Sequence, residues 1–311
     1  MRVLVTGGAG FIGSHVVDRL LADGHLVDVV DNFSTGRPEL VNAKARSHAC
    51  DIRSAQLDDV FAAAEPEAVV HVAAQAAVAR STADPLTDAS VNVLGTIALL
   101  AACRRRRVGR VVYTSTGGAA YGDTDAIPTS EDHPAQPTSP YGVSKVAAES
   151  YLTCWQGITG ASTLSLRLAN VYGPRQNPLG EAGVIAIFAH RLLRGEPCVI
   201  HWDGEQTRDY VYVEDVADAV SRALDWPEAK GLLNIGTGVE VAVNELYRRL
   251  ARLAGVSQPP ERGPRREGDW RRGALDATRA GEVLGWKPIT ALDTSLAQTM
   301  AYFKAGQTVS A

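Results

Sequence analysis

The feature that most constrains this chain is a glycine-rich turn close to its start, Thr6-Gly7-Gly8-Ala9-Gly10-Phe11-Ile12-Gly13. The turn joins an apolar run, Arg2 to Val5, to a stretch with helical character from Ser14 to Ala22. Glycines in such a turn permit a tight reversal, bring backbone amides close to phosphates and let the helix pack closely on the strand. The N-terminus of the helix then faces the anion. The spacing of Gly7, Gly10 and Gly13 therefore predicts a site for the pyrophosphate of a dinucleotide.

A carboxylate after the second apolar run indicates which dinucleotide binds. The run Leu26 to Val30 is typical of a strand, and Asp31 follows it close to the distance expected for a ribose-binding acid. A carboxylate there accepts hydrogen bonds from ribose hydroxyls and repels a 2′-phosphate. Residues 32–35 contain no arginine to offset that repulsion, and Arg37 is interpreted as a solvated loop charge. We therefore expect NAD rather than NADP.

The composition argues against several classes of partner. The formal net charge of the 311 residues is -4, which gives no electrostatic reason to expect nucleic acid or an anionic membrane. No signal-like segment precedes the first glycines, and no apolar stretch approaches the ~18 residues needed to cross a bilayer, so we expect a soluble, cytoplasmic protein. The four scattered cysteines are predicted to be reduced, and the seven histidines form no pattern typical of a metal site.

Short apolar runs alternate with helical stretches at the spacing of βαβ units. The predicted strands are Val3 to Thr6, Leu26 to Val30, His48 to Cys50, Ala68 to Val72, Arg110 to Ser115, Thr163 to Leu168 and Leu232 to Ile235. Most are continuously apolar, as expected for a parallel sheet covered by helices on both faces. The predicted fold class is therefore α/β, a doubly wound Rossmann sheet, with ligand groups gathered at the carboxyl ends of the strands.

The alternation fails after Leu168, where a segment rich in glycine and proline begins at Tyr172. We interpret this change as entry into a smaller, C-terminal substrate domain. A helix predicted over Val213 to Asp225 and the strand ending at Ile235 indicate a return to the first domain. The predicted division is residues 1–169 for the NAD-binding domain, with return segments at about 209–238, and residues 170–208 and 239–311 for the substrate domain.

Tyr141 and Lys145 form the candidate catalytic pair. They are four residues apart on a predicted helix, so their side chains share one face. Ser139 suits the N-cap and Pro140 the first helical position, which places Tyr141 in the first turn, near the positive end of the helix dipole. A phenol needs its pKa lowered by about 3 units to act as a base near neutral pH. A neighbouring ammonium, the helix end and a bound nicotinamide cation are expected to lower it together.

A third catalytic member is expected from the end of the strand that begins at Arg110. A hydroxyl there can hydrogen-bond both a substrate oxygen and the tyrosine, which holds an alcohol for proton removal. Thr116 is the first candidate and Ser115 the second. Spacing alone does not decide between the two.

These residues carry a resemblance to a known family. The glycine-rich start, the Tyr141-x-x-x-Lys145 pair and Leu168-Ala169-Asn170-Val171-Tyr172-Gly173-Pro174-Arg175 resemble the extended short-chain dehydrogenase/reductase family. Within it, four motifs resemble UDP-glucose 4-epimerases over residues 1 to about 300. They are Gly180-Glu181-Ala182-Gly183-Val184, the run from Thr207 to Val213, the run from Asn234 to Gly238, and Arg266-Glu267-Gly268-Asp269.

The resemblance implies two sets of contacts. NAD is expected at Phe11, Ile12, Asp31, Asn32, Asp51, Ile52, Ala73, Tyr141 and Lys145. A UDP-sugar is expected at Thr116, Tyr141, Asn170, Gly183, Val184, Arg208, Val243, Arg266 and Asp269. A diphosphate needs bidentate cations, and Arg208 and Arg266 are the arginines in these motifs. Counting on from Asp269, Gly273 falls where relatives wall the cavity beside the C2 substituent of the sugar, and a glycine there leaves room for an N-acetyl group.

The implied activity is NAD-dependent 4-epimerisation of UDP-hexoses by a homodimer that pairs through Asp88 to Arg104 and Tyr141 to Gln156. Many relatives carry consecutive serines before an apolar residue and Tyr-Gly, whereas here Gly117-Gly118 follows Thr116. The first alternative, a nucleotide-sugar 4,6-dehydratase, needs an acid and a base at that point, which two glycines do not provide. The second, a non-catalytic NAD-sensing protein, has no need of a tuned phenol.

Overall fold

The computed structural model describes residues 1–179, 183–265 and 270–308. The strands in these residues are β1 Arg2–Thr6, β2 Leu26–Asp31, β3 Arg46–Ala49, β4 Ala68–His71, β5 Arg110–Thr116, β6 Ser162–Leu168, β7 Asn170–Tyr172, β8 Val199–His201, β9 Thr207–Arg208, β10 Tyr210–Tyr212, β11 Gly231–Ile235, β12 Val241–Ala242 and β13 Glu261–Gly263.

The helices follow the strands in alternation through the first half of the chain. They are α1 Phe11–Ala22, α2 Leu57–Ala64, α3 Val78–Ala83, α4 Pro85–Ala89, α5 Gly95–Arg105, α6 Gly118–Tyr121, α7 Pro140–Thr159, α8 Val184–Leu193, α9 Val213–Asp225, α10 Val243–Ala254, α11 Thr278–Leu284 and α12 Leu292–Thr308. A 3₁₀ turn covers Pro38–Leu40, and a π-helical turn, Ser90–Leu94, joins α4 to α5.

Seven strands form one parallel sheet in the order β11-β6-β5-β4-β1-β2-β3. The predicted doubly wound Rossmann fold is confirmed. Strand β1 pairs with β2 on one side and with β4 on the other, so the winding reverses at β1. The carboxyl end of β1 is therefore the point where ligands bind in folds of this class, and the glycine-rich turn begins there.

The two faces of the sheet bury alternate residues of each strand. Val3 and Val5 pack with α1, α9 and Trp286 on one face, whereas Leu4 packs with α2, α5 and α7 on the other. All three side chains are at most 1% exposed. Covering on both faces explains why the strand runs are continuously apolar rather than alternating.

A second apolar cluster is built from elements that follow β6 in the chain. It is formed by β7 and β10 with α8, α10 and α12, and includes Phe188, Leu246 and Phe303. Helix α11 behaves differently, because Ala280, Leu284 and the following Trp286 pack in the sheet-side cluster with α9. The segment around α11 thus lies within the predicted substrate domain but takes its packing partners from the larger one.

The expectation that no apolar stretch is long enough to cross a bilayer is wrong. The continuous helical run Pro85–Arg105, made of α4, the π turn and α5, is long and apolar enough to cross a membrane by length and composition. It carries Asp88 and Asn92, which are 1% and 2% exposed, and it packs against α2 and α7. Buried polar side chains bonded to neighbouring elements are typical of a core helix in a folded domain.

Candidate active site

The turn between β1 and α1 has the geometry of a phosphate-binding loop. Gly7 has φ +72°, and a Cβ atom there would lie 2.7 Å from the amide nitrogen of Ala73 after β4. A side chain is therefore excluded by both backbone conformation and space. Helix α1 begins at Phe11, three residues earlier than predicted, because Gly10 takes the N-cap position. No side chain caps that end. The Gly10 N–H donates to the Gly7 carbonyl at 3.0 Å, so the first-turn amides left for a ligand are those of Phe11, Ile12 and Gly13.

Asp31 ends β2 beside this turn. Its carboxylate is 8% exposed and accepts the Ala9 N–H at 3.0 Å and the Phe33 N–H at 2.8 Å. These two bonds fix the orientation of the carboxylate. Because a carboxylate has about four acceptor positions, two remain for the hydroxyls of a ribose. This arrangement of free acceptor positions fits the ribose in the adenosine half of NAD.

A second acid lies next to Asp31. Asn32 donates from Nδ2 to Oδ2 of Asp51 at 2.9 Å, and Arg53 donates to both oxygens of the same carboxylate. Chiefly because of the Arg53 hydrogen bonds, the pKa of Asp51 lies well below its usual range. The next residue, Ile52, is buried against Gly95 of α5. The structure thus brings the predicted contacts Asn32, Asp51 and Ile52 to the same edge of the sheet as Asp31.

The first turn of α7 is held from two sides. Ser139 is the N-cap, as predicted, and its Oγ accepts the Gly142 N–H at 3.1 Å. The N–H of Tyr141 donates to Oγ of Ser81, at 3.1 Å. Ser81 lies on α3 and is fully buried, so α3 fixes the position of Tyr141 through its backbone. The sequence analysis did not identify Ser81, because nothing in its surroundings along the chain marks it as a partner of α7.

The two candidate hydroxyls on β5 have different partners. Thr116 lies near enough to Tyr141 to lower the pKa of its phenol. Ser115 instead donates from Oγ to Oε1 of Glu149, two turns further along α7, at 2.5 Å. Glu149 in turn accepts two bonds from Arg167, at 3.0 and 2.7 Å. The geometry therefore brings Thr116, and not Ser115, together with Tyr141.

Burial opposes the charged forms of both members of the pair. It raises the pKa of Tyr141 to about 12, against the opposing effect of Thr116. It also lowers the pKa of Lys145 to about 7, although Glu149 and Asp88 act in the other direction. The Lys145 ammonium lies 4.2 Å from the centre of the Tyr113 ring. The chain alone thus gives Tyr141 a pKa shift opposite to the one that catalysis requires, because desolvation outweighs the effect of Thr116.

A cluster of buried polar side chains around Asp88, next to α7, was not predicted. Asp88 accepts hydrogen bonds at Oδ1 from Gln75 and Asn92, at 2.9 and 3.1 Å. Asn92 also donates to Ser144 on α7, at 3.0 Å. The spacing of Asp88 and Asn92, four apart on an apolar helical run, is the signal that could have identified them.

An open cleft lies beside Gly118, which follows β5, and Asn170, which begins β7. Its lining includes three predicted substrate contacts, Asn170, Arg208 and Gly273, and also Gly118 and Trp270. The Arg208 guanidinium lies 4.3 Å from the centre of the Trp270 ring. Trp270 was not predicted. It lies directly after the Arg-Glu-Gly-Asp motif but is part neither of that motif nor of any other motif in the sequence.

The other predicted substrate contacts lie elsewhere. Gly183 caps α8, Val184 begins it, and Val243 begins α10 with 8% exposure. These three residues do not line the cleft, and neither do the predicted contacts Thr116 and Tyr141. Arg266 and Asp269 lie outside the described residues. Within residues 1–179, 183–265 and 270–308, no group of three or more His, Cys, Asp or Glu side chains is arranged to hold a metal ion.

Comparison with known proteins agrees with this geometry. Residues 3–236 match the model of the NAD dependent epimerase/dehydratase family. The UDP-glucose 4-epimerase of Mycolicibacterium smegmatis is 48% identical over 309 residues, covering 98% of this chain and 99% of the relative.

Two solved structures are similar over nearly their full lengths. A crystal structure of UDP-glucose 4-epimerase from Thermotoga maritima with UDP-glucose has a TM-score of 0.96 and 44% identity, covering 99% of this chain and 100% of that one. The Thermus thermophilus UDP-glucose 4-epimerase in complex with NAD has a TM-score of 0.93 and 42% identity, covering 98% and 99%. The match of motif, fold and length shows that this chain belongs to the NAD dependent epimerase/dehydratase family.

Proposed function

We propose that this chain interconverts UDP-glucose and UDP-galactose by epimerisation at C4, with NAD as its cofactor. The observation that carries the proposal is that Tyr141 lies beside Thr116 at the carboxyl end of β5, and that Gly118, two residues after Thr116, borders a cleft lined by Arg208. An acid–base side chain at an NAD-type sheet edge, next to a cation for a diphosphate, suits alcohol oxidation on a nucleotide sugar. The similarity in sequence and structure to UDP-glucose 4-epimerases supports it.

The residues that would hold NAD are those of the β1–α1 turn, Asp31, Asp51, Ile52, Ala73 and Lys145. The uncapped N-terminus of α1 suits the pyrophosphate, and the Asp31 carboxylate suits the adenosine ribose. When bound, NAD would accept a hydride from C4 of the sugar and return it, and would bring a positive charge near Tyr141. That charge offsets the burial that raises the pKa of Tyr141 to about 12.

The chain supplies the proton transfer. Tyr141 takes the proton from the 4-hydroxyl as C4 is oxidised, and returns it to the 4-keto oxygen after the sugar has turned over. Thr116 holds the sugar oxygen within reach of the phenol, and Lys145 favours the phenolate when it carries its charge. Substrate and product are isomers, so no outside redox partner and no net proton transfer are needed.

The diphosphate stays bound while the sugar turns. Arg208 and Asn170 line the cleft and would hold the phosphates, together with Arg266 and Asp269 in the segment outside the described residues. Gly183, Val184 and Val243 are proposed to contact the nucleotide. At Gly273 the absence of a side chain leaves space beside the sugar that the Trp270 indole fills only in part, so we expect UDP-N-acetylglucosamine and UDP-N-acetylgalactosamine to be accepted as well.

A 4,6-dehydratase is not favoured. Elimination of water needs an acid and a base after Thr116, and the chain has Gly117 and Gly118 there. A Cβ atom on Gly117 would lie 2.5 Å from Leu275, and one on Gly118 would lie 2.8 Å from Trp270. Those positions have no room for the carboxyl groups that a dehydratase uses. A purely NAD-sensing role leaves the neighbouring Tyr141 and Thr116 without a purpose.

The chain is further proposed to act as a homodimer in the cytoplasm, in galactose and nucleotide-sugar metabolism. Large apolar side chains are exposed on the helical run 85–105 and on α7. Leu86 is 83% exposed, Leu94 59%, Val143 53% and Tyr151 45%. A second copy of the chain, related by a two-fold axis, would cover these side chains and bury both helices.

Product analysis tests the proposed function. Purified protein is incubated separately with UDP-glucose, UDP-N-acetylglucosamine and UDP-xylose, and the nucleotide sugars are resolved by chromatography. The first two are expected to yield their C4 epimers without added reductant, whereas the Tyr141→Phe protein yields none. A 4-keto-6-deoxy product from UDP-glucose, or no conversion of any substrate, would overturn the proposal.

A further inference from the structure

The indole of Trp270 lies against the cation that the proposed function assigns to the diphosphate. The Arg208 guanidinium stacks on the ring at 4.3 Å, and its Nη1 donates to the backbone oxygens of Trp270 and Thr207, at 2.9 and 2.7 Å. Arg208 is 9% exposed. A guanidinium held flat on an aromatic face keeps its planar donors in one orientation, which is the requirement for bidentate phosphate binding.

The edge of the same indole at Cζ2 lies against the start of α6, which follows the candidate catalytic strand. A Cβ atom on Gly118 would lie 2.8 Å from Cζ2 of Trp270. Gly118 lies two residues after Thr116 and does not have the positive φ that calls for glycine. The glycine is therefore required by space, because any side chain would displace the indole.

The same edge of the indole, at Nε1, faces Gly273. A Cβ atom there would lie 3.0 Å from Nε1 of Trp270. The indole thus fills part of the space that a large side chain at residue 273 would occupy. Its N–H edge lies on the wall of the cleft, between Gly118 and Gly273.

From these contacts we propose that Trp270 is a positioning and specificity-determining residue, which holds Arg208 for the diphosphate and forms the wall of the cleft beside the sugar. The proposal rests on the proposed function for the identity of the ligand. Gly118, which has no side chain, leaves the space into which the indole packs. The second glycine of the Gly117-Gly118 departure from the family pattern is then a consequence of the tryptophan.

Substitution of Trp270 tests the stacking. Trp270→Leu removes the aromatic face, and Trp270→Phe retains one. We expect the Kd for UDP, measured by calorimetry on the NAD-loaded protein, to rise about five- to twentyfold in Trp270→Leu and less than about threefold in Trp270→Phe. The KM for UDP-glucose should rise with the Kd, while kcat changes little. Trp226→Leu, at a 55% exposed tryptophan after α9, is the matched control and should leave the Kd unchanged.

A double-mutant cycle tests the contact with Gly118. Gly118→Ala alone is expected to raise the Kd for UDP, because its methyl group displaces the indole. In the Trp270→Leu background the same substitution should change the Kd by less than about twofold, since the space is already free. Effects that multiply in the double variant would overturn the proposed packing role of Gly118.

The outcomes separate this inference from the proposed function. Epimerisation by the wild-type protein with an unchanged Kd in Trp270→Leu would overturn the inference and leave the function standing. A weakened Kd for UDP in a protein that converts no UDP-hexose would overturn the function and leave the inference standing. The ratio of kcat/KM for UDP-N-acetylglucosamine to that for UDP-glucose should also shift in Trp270→Leu, and a constant ratio would overturn the specificity role.

Discussion

At the scale of single residues, the site places two ionisable side chains where burial disfavours their charges. The pKa of Tyr141 is raised to about 12 and that of Lys145 is lowered to about 7. Before any ligand binds, the Tyr141 phenol is therefore neutral near pH 7, and the Lys145 ammonium is close to the midpoint of its titration. A positive charge that arrives with the cofactor has a large effect in such a site, because few solvent dipoles screen it.

The phenol of Tyr141 is expected to carry the proton transfer. Tyr141→Phe removes only the oxygen, so we predict a loss of turnover of about three orders of magnitude with little change in stability. Initial rates with UDP-galactose and thermal unfolding measure the two quantities. Tyr302→Phe, at a 36% exposed tyrosine on α12, is the control and should keep full turnover. Turnover near the wild-type level in Tyr141→Phe would exclude the proposed acid–base role.

Lys145 is expected to make the stability of the NAD-free protein depend on pH. Its pKa is about 7 when folded and 10.5 as a free side chain. Between those values the unfolded chain binds one proton more than the folded chain, so this side chain makes stability rise with pH. Below pH 7 both states are charged, and the full cost of burying the ammonium is present.

Lys145→Met removes that cost. We predict that the variant is more stable than the wild type by a few kcal/mol at about pH 6, and that the difference shrinks towards about pH 10. Thermal unfolding of both NAD-free proteins across this range measures it. A difference in stability that stays constant with pH would show that the lysine is not desolvated in the fold.

The sequence predicts the residues that lie on one element and misses those that act across elements. Tyr141, Lys145 and the Ser139 cap share one helix, so local spacing identifies them. The partners Ser81 and Trp270 come from distant parts of the chain, and only folding brings them to α7 and Arg208. The choice between Thr116 and Ser115 likewise depends on which face of β5 meets Glu149.

At the scale of elements, the β1–α1 turn carries the strongest requirement for glycine. Strand and helix patterns predicted the elements on both sides of it, and helix α9 was predicted at its observed bounds, Val213–Asp225. The π turn at Ser90–Leu94 was not predicted, because it continues the apolar period of the flanking helices. For the same reason, the division of the run 85–105 into α4 and α5 was not predicted.

A pair of glycine substitutions separates space from backbone conformation. Gly7 and Gly24 have φ +72° and +86°, but a Cβ atom would meet Ala73 at Gly7 and nothing within 4 Å at Gly24. We predict that Gly24→Ala costs about 1–2 kcal/mol of stability and retains NAD. Gly7→Ala should lose NAD as well, since β4 must move. The NAD content of each purified protein measures this, and equal content in both variants would contradict the close approach of Gly7 to Ala73.

At the scale of the whole molecule, the catalytic helix α7 is also part of the exposed apolar surface. Tyr141 and Lys145 face the sheet, whereas Val143 and Tyr151 on the same helix are exposed. Pairing of two chains across this surface would hold α7 from its outer side. The oligomeric state was predicted from the family resemblance, since a sequence pattern alone does not distinguish an apolar interface from a buried core face.

A charged substitution tests that surface. The wild-type protein is expected to scatter light as a dimer at micromolar concentration. Leu94→Glu places a charge among apolar side chains and should shift the protein to monomer, because an unpaired charge is costly to bury. Ile289→Glu, at a 79% exposed residue before α12, is the matched control and should remain a dimer. A monomeric wild type, or a dimeric Leu94→Glu protein, would contradict the proposed interface.

The central claim is that C4 of the sugar is oxidised and then reduced again in one site. The most direct measurement uses UDP-galactose that carries deuterium at C4, with catalytic amounts of enzyme and no added reductant. The account predicts that the UDP-glucose formed retains the deuterium at C4, as read by mass spectrometry and nuclear magnetic resonance. Deuterium lost to the solvent, or found at any other carbon, would contradict it.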